Sequence, residues 1–310
     1  MSSKKCGTWS AQGGGSFFND LNQLIPSPLA GEGQGKGGFR YLLSYYIDWL
    51  KCGGVMIEVV FLGVGEAFDE QLPNTSILIR YQGSTSPVTL LLDCGFTAPP
   101  QFWKEEPDAD ILDGIWISHF HGDHCLGIPA LLVRFWEEGR KKALTLLGQK
   151  GIATFIRTSL DLAYPGMYER LGFPLKYLEV EPEKEVTIFG LIFQSAVNSH
   201  SQRDLALKIN AQEKSIYYSG DGKATPESMV LAKGSQLIIH EAFSLEAEVP
   251  GHGTVTGSIK MAKECGASNL ALVHIQRKVR SQVIDEMQRF THMAGSLNLM
   301  VPEPGFRIAL

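Results

Sequence analysis

Three of the chain's eight histidines fall within six positions, in Ser118-His119-Phe120-His121-Gly122-Asp123-His124. Neutral imidazole and carboxylate are suitable zinc ligands. In an extended backbone positions 119 and 121 project to the same side, so His119 and His121 can grip one ion. Asp123 and His124, one turn later, can grip a second ion nearby. Three more candidates each follow an apolar run: His200 after residues 193–197, Asp221 after 216–220 and His274 after 270–273. Together they complete two sets, with His119, His121 and His200 on one ion, Asp123, His124 and His274 on the other, and Asp221 as the bridge. Two divalent cations held this way would lower the pKa of a shared water from 15.7 toward about 7 and supply hydroxide near neutral pH.

Ligands scattered along a chain need a scaffold that gathers strand ends at one rim. Apolar, β-prone runs come first, at 57–63, 76–81, 88–92 and 115–118, with a turn signal at Gln82-Gly83-Ser84. Helical patterns at 126–138 and 151–162 flank a buried strand at 144–147. The second half repeats the order. Strands are expected at 175–180, 186–193, 205–209 and 215–219, then a helix at 226–233, a strand at 237–240, a helix at 254–265, a strand at 270–274 and a closing helix at 281–293. Strands followed by helix–strand alternation, twice over, predict two sheets face to face with helices outside.

The domain is expected to start at Met56. Residues 1–55 carry Gly13-Gly14-Gly15 and a Gly/Pro/Ser-rich stretch at 26–38, and they read as a disordered extension or a mis-assigned start. Residues 56–310 suffice for one large domain with a sizeable core. Five cysteines, odd in number and without a CxxC pair, suggest neither a disulfide framework nor a thiolate metal site; a cytoplasmic setting is expected. No apolar run reaches the roughly 20 residues of a membrane span, and the apolar segment at 39–50 is broken by Arg40, Ser44 and Asp48. A net charge of −5 lacks the basic excess common in nucleic-acid binders. Cys125 reads as a small buried hydrophobe, His240 as undecided between a role in the site and a buried histidine, and His292 as a surface residue.

Further motifs sharpen the reading. Leu91-Leu92-Asp93-Cys94-Gly95, Tyr218-Ser219-Gly220-Asp221, His240-Glu241-Ala242 and His252-Gly253-Thr254 stand in order along the chain, ahead of Leu272-Val273-His274-Ile275. With these, residues 56–310 resemble the metallo-β-lactamase superfamily, and within it the ribonuclease Z branch with its phosphodiesterase and arylsulfatase relatives. The resemblance implies an α/β fold, a four-layer αβ/βα sandwich of two mixed β-sheets with helices outside. It also implies a hydrolase with two zinc ions, or manganese or iron in their place, and a metal-bridging hydroxide that attacks a phosphodiester. In that mechanism Asp123 would also orient the nucleophile, His252 would protonate the leaving oxygen and Glu241 would set the charge of His252. Asp93 would bond a ligand imidazole and fix its tautomer.

The departures bear on the substrate. Ribonuclease Z enzymes carry a long arm that clasps transfer RNA between the residues matching His200 and Asp221, and here only 21 positions separate those two. The segment Gln276-Arg277-Lys278-Val279-Arg280 reads as one basic loop, a modest phosphate footprint. A small phosphodiester or related ester is therefore expected ahead of RNA. Other esters (aryl sulfate, lactone, thioester) and transfer-RNA 3′-end cleavage stand as alternatives. The context Val197-Asn198-Ser199-His200-Ser201 differs from the Gly-His-Thr-Pro-Gly-like motif of the lactonase and thioesterase branches. No membrane partner is expected, and the family implies a homodimer.

Overall fold

The computed structural model describes residues 56–83 and 86–310. The expected N-terminal extension, the apolar segment at 39–50, Cys6, Cys52 and Ser84 lie outside the described residues.

Strand β1 (Met56–Gly63) is apolar on both faces. Its Val59 and Phe61 join one core, while Val60 and Leu62 join another. A strand without a polar face must lie between two layers, and this rule sets the architecture. The first sheet runs, in spatial order, β14 (Arg307–Ala309), β1, β2 (Ser76–Gln82), β3 (Val88–Leu92), β4 (Gly114–Ile117), β5 (Leu144–Gly148) and β6 (Leu175–Glu179). It is antiparallel from β14 to β3 and parallel from β3 to β6. The second runs β13 (Asn298–Met300), β12 (Asn269–Val273), β11 (Leu237–Glu241), β10 (Lys214–Tyr218), β9 (Asp204–Ala211), β8 (Leu191–Asn198) and β7 (Val186–Ile188). It is parallel from β13 to β10 and antiparallel beyond.

Inner faces of both sheets form the central core, with Phe61, Ile79 and Trp116 of the first packed with Phe193, Leu207 and Ile239 of the second. The outer face of the first sheet is covered by α1 (Ala98–Glu105), α3 (Ile128–Glu137) and α4 (Ile152–Ala163). The outer face of the second is covered by α5 (Pro226–Ala232), α6 (Val255–Glu264) and α8 (Met287–Ala294). The result is the four-layer α/β sandwich expected from the sequence. Among the described residues, no helix is long and apolar enough to cross a membrane.

Helix α1 and strands β13 and β14 have no counterpart in the sequence reading, and three further elements differ from it. The run 186–193 is a hairpin of β7 and β8 that turns at Phe189 and Gly190, both at positive φ (60° and 74°). Phe-Gly lacks the Asn-Gly or Asp-Gly signal of such turns. The closing helix is two helices, α7 (Arg277–Asp285) and α8, broken at Glu286. Residues 277–280 are thus the first turn of α7 rather than a basic loop. Helix 126–138 starts afresh at Ile128 with Pro129 in its first turn, after a separate four-residue helix α2 (Gly122–Cys125).

Candidate metal centre

Each expected ligand sits where a strand gives out. His119 and His121 follow β4, and Asp123 and His124 lie in α2. That short helix is locked under the end of β3: the Cys94 N–H donates to the His124 carbonyl (2.8 Å) and the Gly127 N–H to the Cys94 carbonyl (2.9 Å). Gly95 permits the close approach, because a Cβ there would lie 1.9 Å from the Asp123 carbonyl. His200 follows β8, and paired backbone bonds between Ser199 and Lys223 (3.0 Å each) tie it to the turn carrying Asp221. Asp221 follows β10 through Gly220 (φ 63°). His274 ends β12 at φ 53°, and its N–H donates to the Val64 carbonyl (2.9 Å).

These side chains converge into two groups. His119 Nε2 and His200 Nε2 stand 2.9 and 3.1 Å from His121 Nδ1. In the second group Asp123 Oδ2 lies 3.2 Å from the Nε2 atoms of both His124 and His274. Asp221 reaches His124 through Oδ1 (3.3 Å) and His274 through Oδ2 (3.3 Å), and its Oδ2 is 4.0 Å from His200 Nε2. Each group offers ligand atoms within 4.8 Å of one another.

The outward-facing nitrogens decide what fits between them. His200 Nδ1 donates to the Gly251 carbonyl (2.7 Å) and His124 Nδ1 to Asp93 Oδ2 (2.7 Å). With those protons placed outside, the inner Nε2 atoms present lone pairs. His124 Nε2 and Asp221 Oδ1 are buried without a hydrogen-bond partner. Lone pairs facing lone pairs and carboxylates in a buried space are repulsive unless a cation lies between them. The donor set therefore fits divalent metal.

Charge balance agrees. Burial disfavours charge on His124, but Asp221 and Asp93 outweigh it and hold its pKa well above the usual histidine value. His274 is likewise raised, with burial overcome by Asp221 and Asp123. Burial would also neutralise Asp123 and Asp221, yet the facing imidazoles hold both carboxyls well below their usual range. Burial and the positive His124 lower His119. The carboxylates demand positive charge among them, which bound metal would provide in place of protons.

Asp93 stands in contact with the His124 imidazole, as its expected role requires. Fully buried at φ 57°, it accepts from Ser118 N (2.8 Å), Ser118 Oγ (2.7 Å), His124 Nδ1 (2.7 Å) and Tyr218 Oη (2.6 Å). Beside the two ligand groups, His252 Nδ1 meets Glu241 Oε1 at 2.9 Å. Glu241, buried at the end of β11, also accepts from Gly222 N (3.1 Å), Gly253 N (3.0 Å) and Phe243 N (2.8 Å). Phe243 stacks on the His252 ring at 4.3 Å. The His252, His200 and Asp221 ligand atoms also lie within 4.8 Å of one another. A cavity of about 460 Å³ opens over both groups, with Phe68, Phe96, Phe243, His252 and Arg277 in its wall.

The structure brings all seven expected ligands together and sets His252 and Glu241 beside them. His240 turns away, its Nδ1 bonded to the Glu241 carbonyl (2.7 Å), and is a buried histidine outside this cavity. Cys125 is buried, and burial pushes its thiol up to about 12, so it is no thiolate nucleophile. His292 is exposed. The sequence reading missed Ser118, Tyr218, Phe243 and Asp204. A serine just past a strand and a tyrosine within one carry no signal of their own, and an aspartate opening a strand reads as a cap.

The model of the family described as "Anti-Pycsar protein Apyc1" matches residues 57–294. Ribonuclease Z from Staphylococcus epidermidis is 25% identical over 305 residues, covering 81% of this chain and 96% of that protein. Among solved structures, the metallo-β-lactamase fold protein YhfI from Bacillus subtilis matches with a TM-score of 0.66 at 19% identity, covering 82% of this chain and 100% of that one. Human tRNase Z, short form, matches at 0.65 and 21% identity, covering 81% and 98%.

Proposed function

This chain belongs to the family described as anti-Pycsar protein Apyc1, on the metallo-β-lactamase fold, and from that membership we propose that it is a metal-dependent hydrolase of small phosphodiesters. The observation carrying the proposal is a pair of adjacent ligand groups, His119, His121 and His200 beside Asp123, His124, Asp221 and His274, with His124 Nε2 and Asp221 Oδ1 buried without a hydrogen-bond partner. We propose zinc at both positions, with His119, His121 and His200 on one ion, Asp123, His124 and His274 on the other, and Asp221 between them; the same donors suit manganese or iron. Bound divalent ions supply an acidified water as nucleophile and neutralise charge developing on phosphate oxygens.

The remaining steps belong to the chain's own groups. Asp123, held by His124 and His274, orients the attacking water. His252 stands at the leaving-group side and donates a proton from Nε2, while Nδ1 stays on Glu241. Glu241 holds the ring through its bond to Nδ1 and is itself held by the loop N–H groups it gathers. Phe243, stacked on His252, keeps water from that side.

Two observations favour a small substrate over RNA. Between His200 and Asp221 the chain forms only β9, β10 and short turns, with no arm. Both arginines of α7 are also engaged: Arg277 pairs with Glu66, and Arg280, largely buried, with Glu303 (2.9 Å), which leaves Lys278 as its exposed basic residue. A groove for RNA needs unpaired basic surface along the backbone path. The phenyl rings in the cavity wall suit a diester carrying an apolar or aromatic group.

Metal analysis of purified protein, followed by assays on bis-p-nitrophenyl phosphate, cyclic nucleotides, an aryl sulfate and a precursor transfer RNA, tests the reading. Diester turnover that chelation abolishes and zinc restores is the expected result. Turnover of the sulfate alone, or activity indifferent to chelation, would reject it.

A further inference from the structure

Asp204 is fully buried at the start of β9 and belongs to neither ligand group. Its Oδ1 lies 3.2 Å from His119 Nδ1 and accepts the Asp221 N–H at 3.2 Å. Its Oδ2 has no hydrogen-bond partner. The next residue joins the two sheets, since the Leu205 N–H donates to the Ser118 carbonyl (3.1 Å). The carboxylate is thus wedged between the strand end bearing His119 and the turn bearing Asp221. Gly220 makes room for it, because a Cβ there would meet Asp204 Oδ1 at 2.3 Å.

A buried carboxylate with one oxygen idle costs stability, and a group so poorly satisfied calls for an explanation other than packing. We propose that Asp204 is a positioning residue for the cations: its Oδ1, 3.2 Å from His119 Nδ1, favours the proton on that nitrogen and so the Nε2 lone pair inward, and by accepting the Asp221 N–H it sets the reach of the Asp221 carboxylate. Ser118 Oγ, 3.0 Å from His119 Nδ1 and already spent as a donor to Asp93, is the hydrogen-bonded acceptor of that proton, and Asp204 Oδ1 lies beside it. Outer partners of metal-bound histidines raise ligand basicity and fix orientation, and losing one costs about 10–100-fold in affinity.

This inference rests on the cation reading of the centre, so wild-type protein is measured first. Zinc is titrated into metal-free full-length wild type, Asp204→Ala and Asp204→Asn against a chromophoric chelator, and cobalt(II)-loaded samples are compared by visible absorption. Wild type should bind two equivalents. Asp204→Ala should bind one of them about 10–100-fold more weakly, with altered cobalt bands. Asp204→Asn should recover most of that loss, because its amide oxygen can keep the bond from the Asp221 N–H and the approach to His119 Nδ1. Wild-type affinity in Asp204→Ala, or an equal weakening of both ions with no recovery in Asp204→Asn, would overturn the assignment. Wild type that takes up no zinc would overturn the cation reading itself.

Discussion

Replacing His252 by alanine separates its proposed role as proton donor from any role in holding the site together. The substitution removes one hydrogen bond to a buried carboxylate (2.9 Å) and one ring stack on Phe243 (4.3 Å). A bond to a charged group contributes about 1.5–3 kcal/mol net, and a stacked pair about 0.5–1.5 kcal/mol. Glu241 Oε1 keeps the Gly222 and Gly253 N–H groups, so the variant leaves no buried charge stripped of partners. The loss is then about 2–4 kcal/mol against a typical total of about 5–15, and the variant should fold, melting about 4–16 °C lower. Zinc content should stay at the wild-type level, because His252 is not among the seven ligands. Catalysis should depend on the leaving group. An alkyl ester, whose alkoxide leaves poorly, should lose about 10²–10⁴ in kcat, the range for a positioned acid. Bis-p-nitrophenyl phosphate, whose phenolate leaves without help, should lose much less. Steady-state rates on both diesters, with metal analysis of the same samples, make the comparison. Equal losses on the two substrates would refute the acid role, as would wild-type turnover of the alkyl ester.

His121→Ala should lose one zinc and nearly all activity while circular dichroism stays close to wild type; full activity would remove His121 from the centre. Asp93→Asn sets an amide N–H against His124 Nδ1 and should drive that ring to the other tautomer, weakening the second ion about 10–100-fold in chelator competition; unchanged affinity would show that Asp93 does not fix the tautomer. Chelated protein should have a stability window. The raised His124 and His274 contribute fully below the unfolded histidine value of about 6.5 and lose that contribution as pH rises through their folded values. The depressed Asp123 and Asp221 contribute above about 3.9 and lose it only as pH falls toward their folded values. Melting temperature without metal should therefore peak between about pH 4 and 6.5 and fall toward alkaline pH, whereas zinc-loaded protein should show no such fall. Parallel curves for the two forms would contradict this charge balance.

Residue type and strand pattern sufficed to pick out seven side chains that converge, because they stand at or just beyond the ends of apolar runs, and a sandwich of two such sheets gathers its strand ends on one rim. The pairing of Glu241 with His252 came from the family resemblance, since nothing local in eleven positions of loop and strand announces it. Partners distant in sequence stayed hidden. Arg277 looked free until Glu66, 211 positions earlier, proved to face it. Arg280 looked exposed until α7 turned it inward toward the Pro302 carbonyl. The β7–β8 hairpin escaped because an aromatic residue adopts the left-handed conformation there.

Each ligand group takes members from both sheets: His119 and His121 from the first with His200 from the second, Asp123 and His124 from the first with Asp221 and His274 from the second. Neither half of the chain can assemble a complete ligand group by itself, so bound ions would act as rivets across the seam. Stripping them should loosen that junction ahead of the rest, and the Leu205 and Asp221 amides, which cross it or border it, should exchange with deuterium sooner than amides in the middle of either sheet.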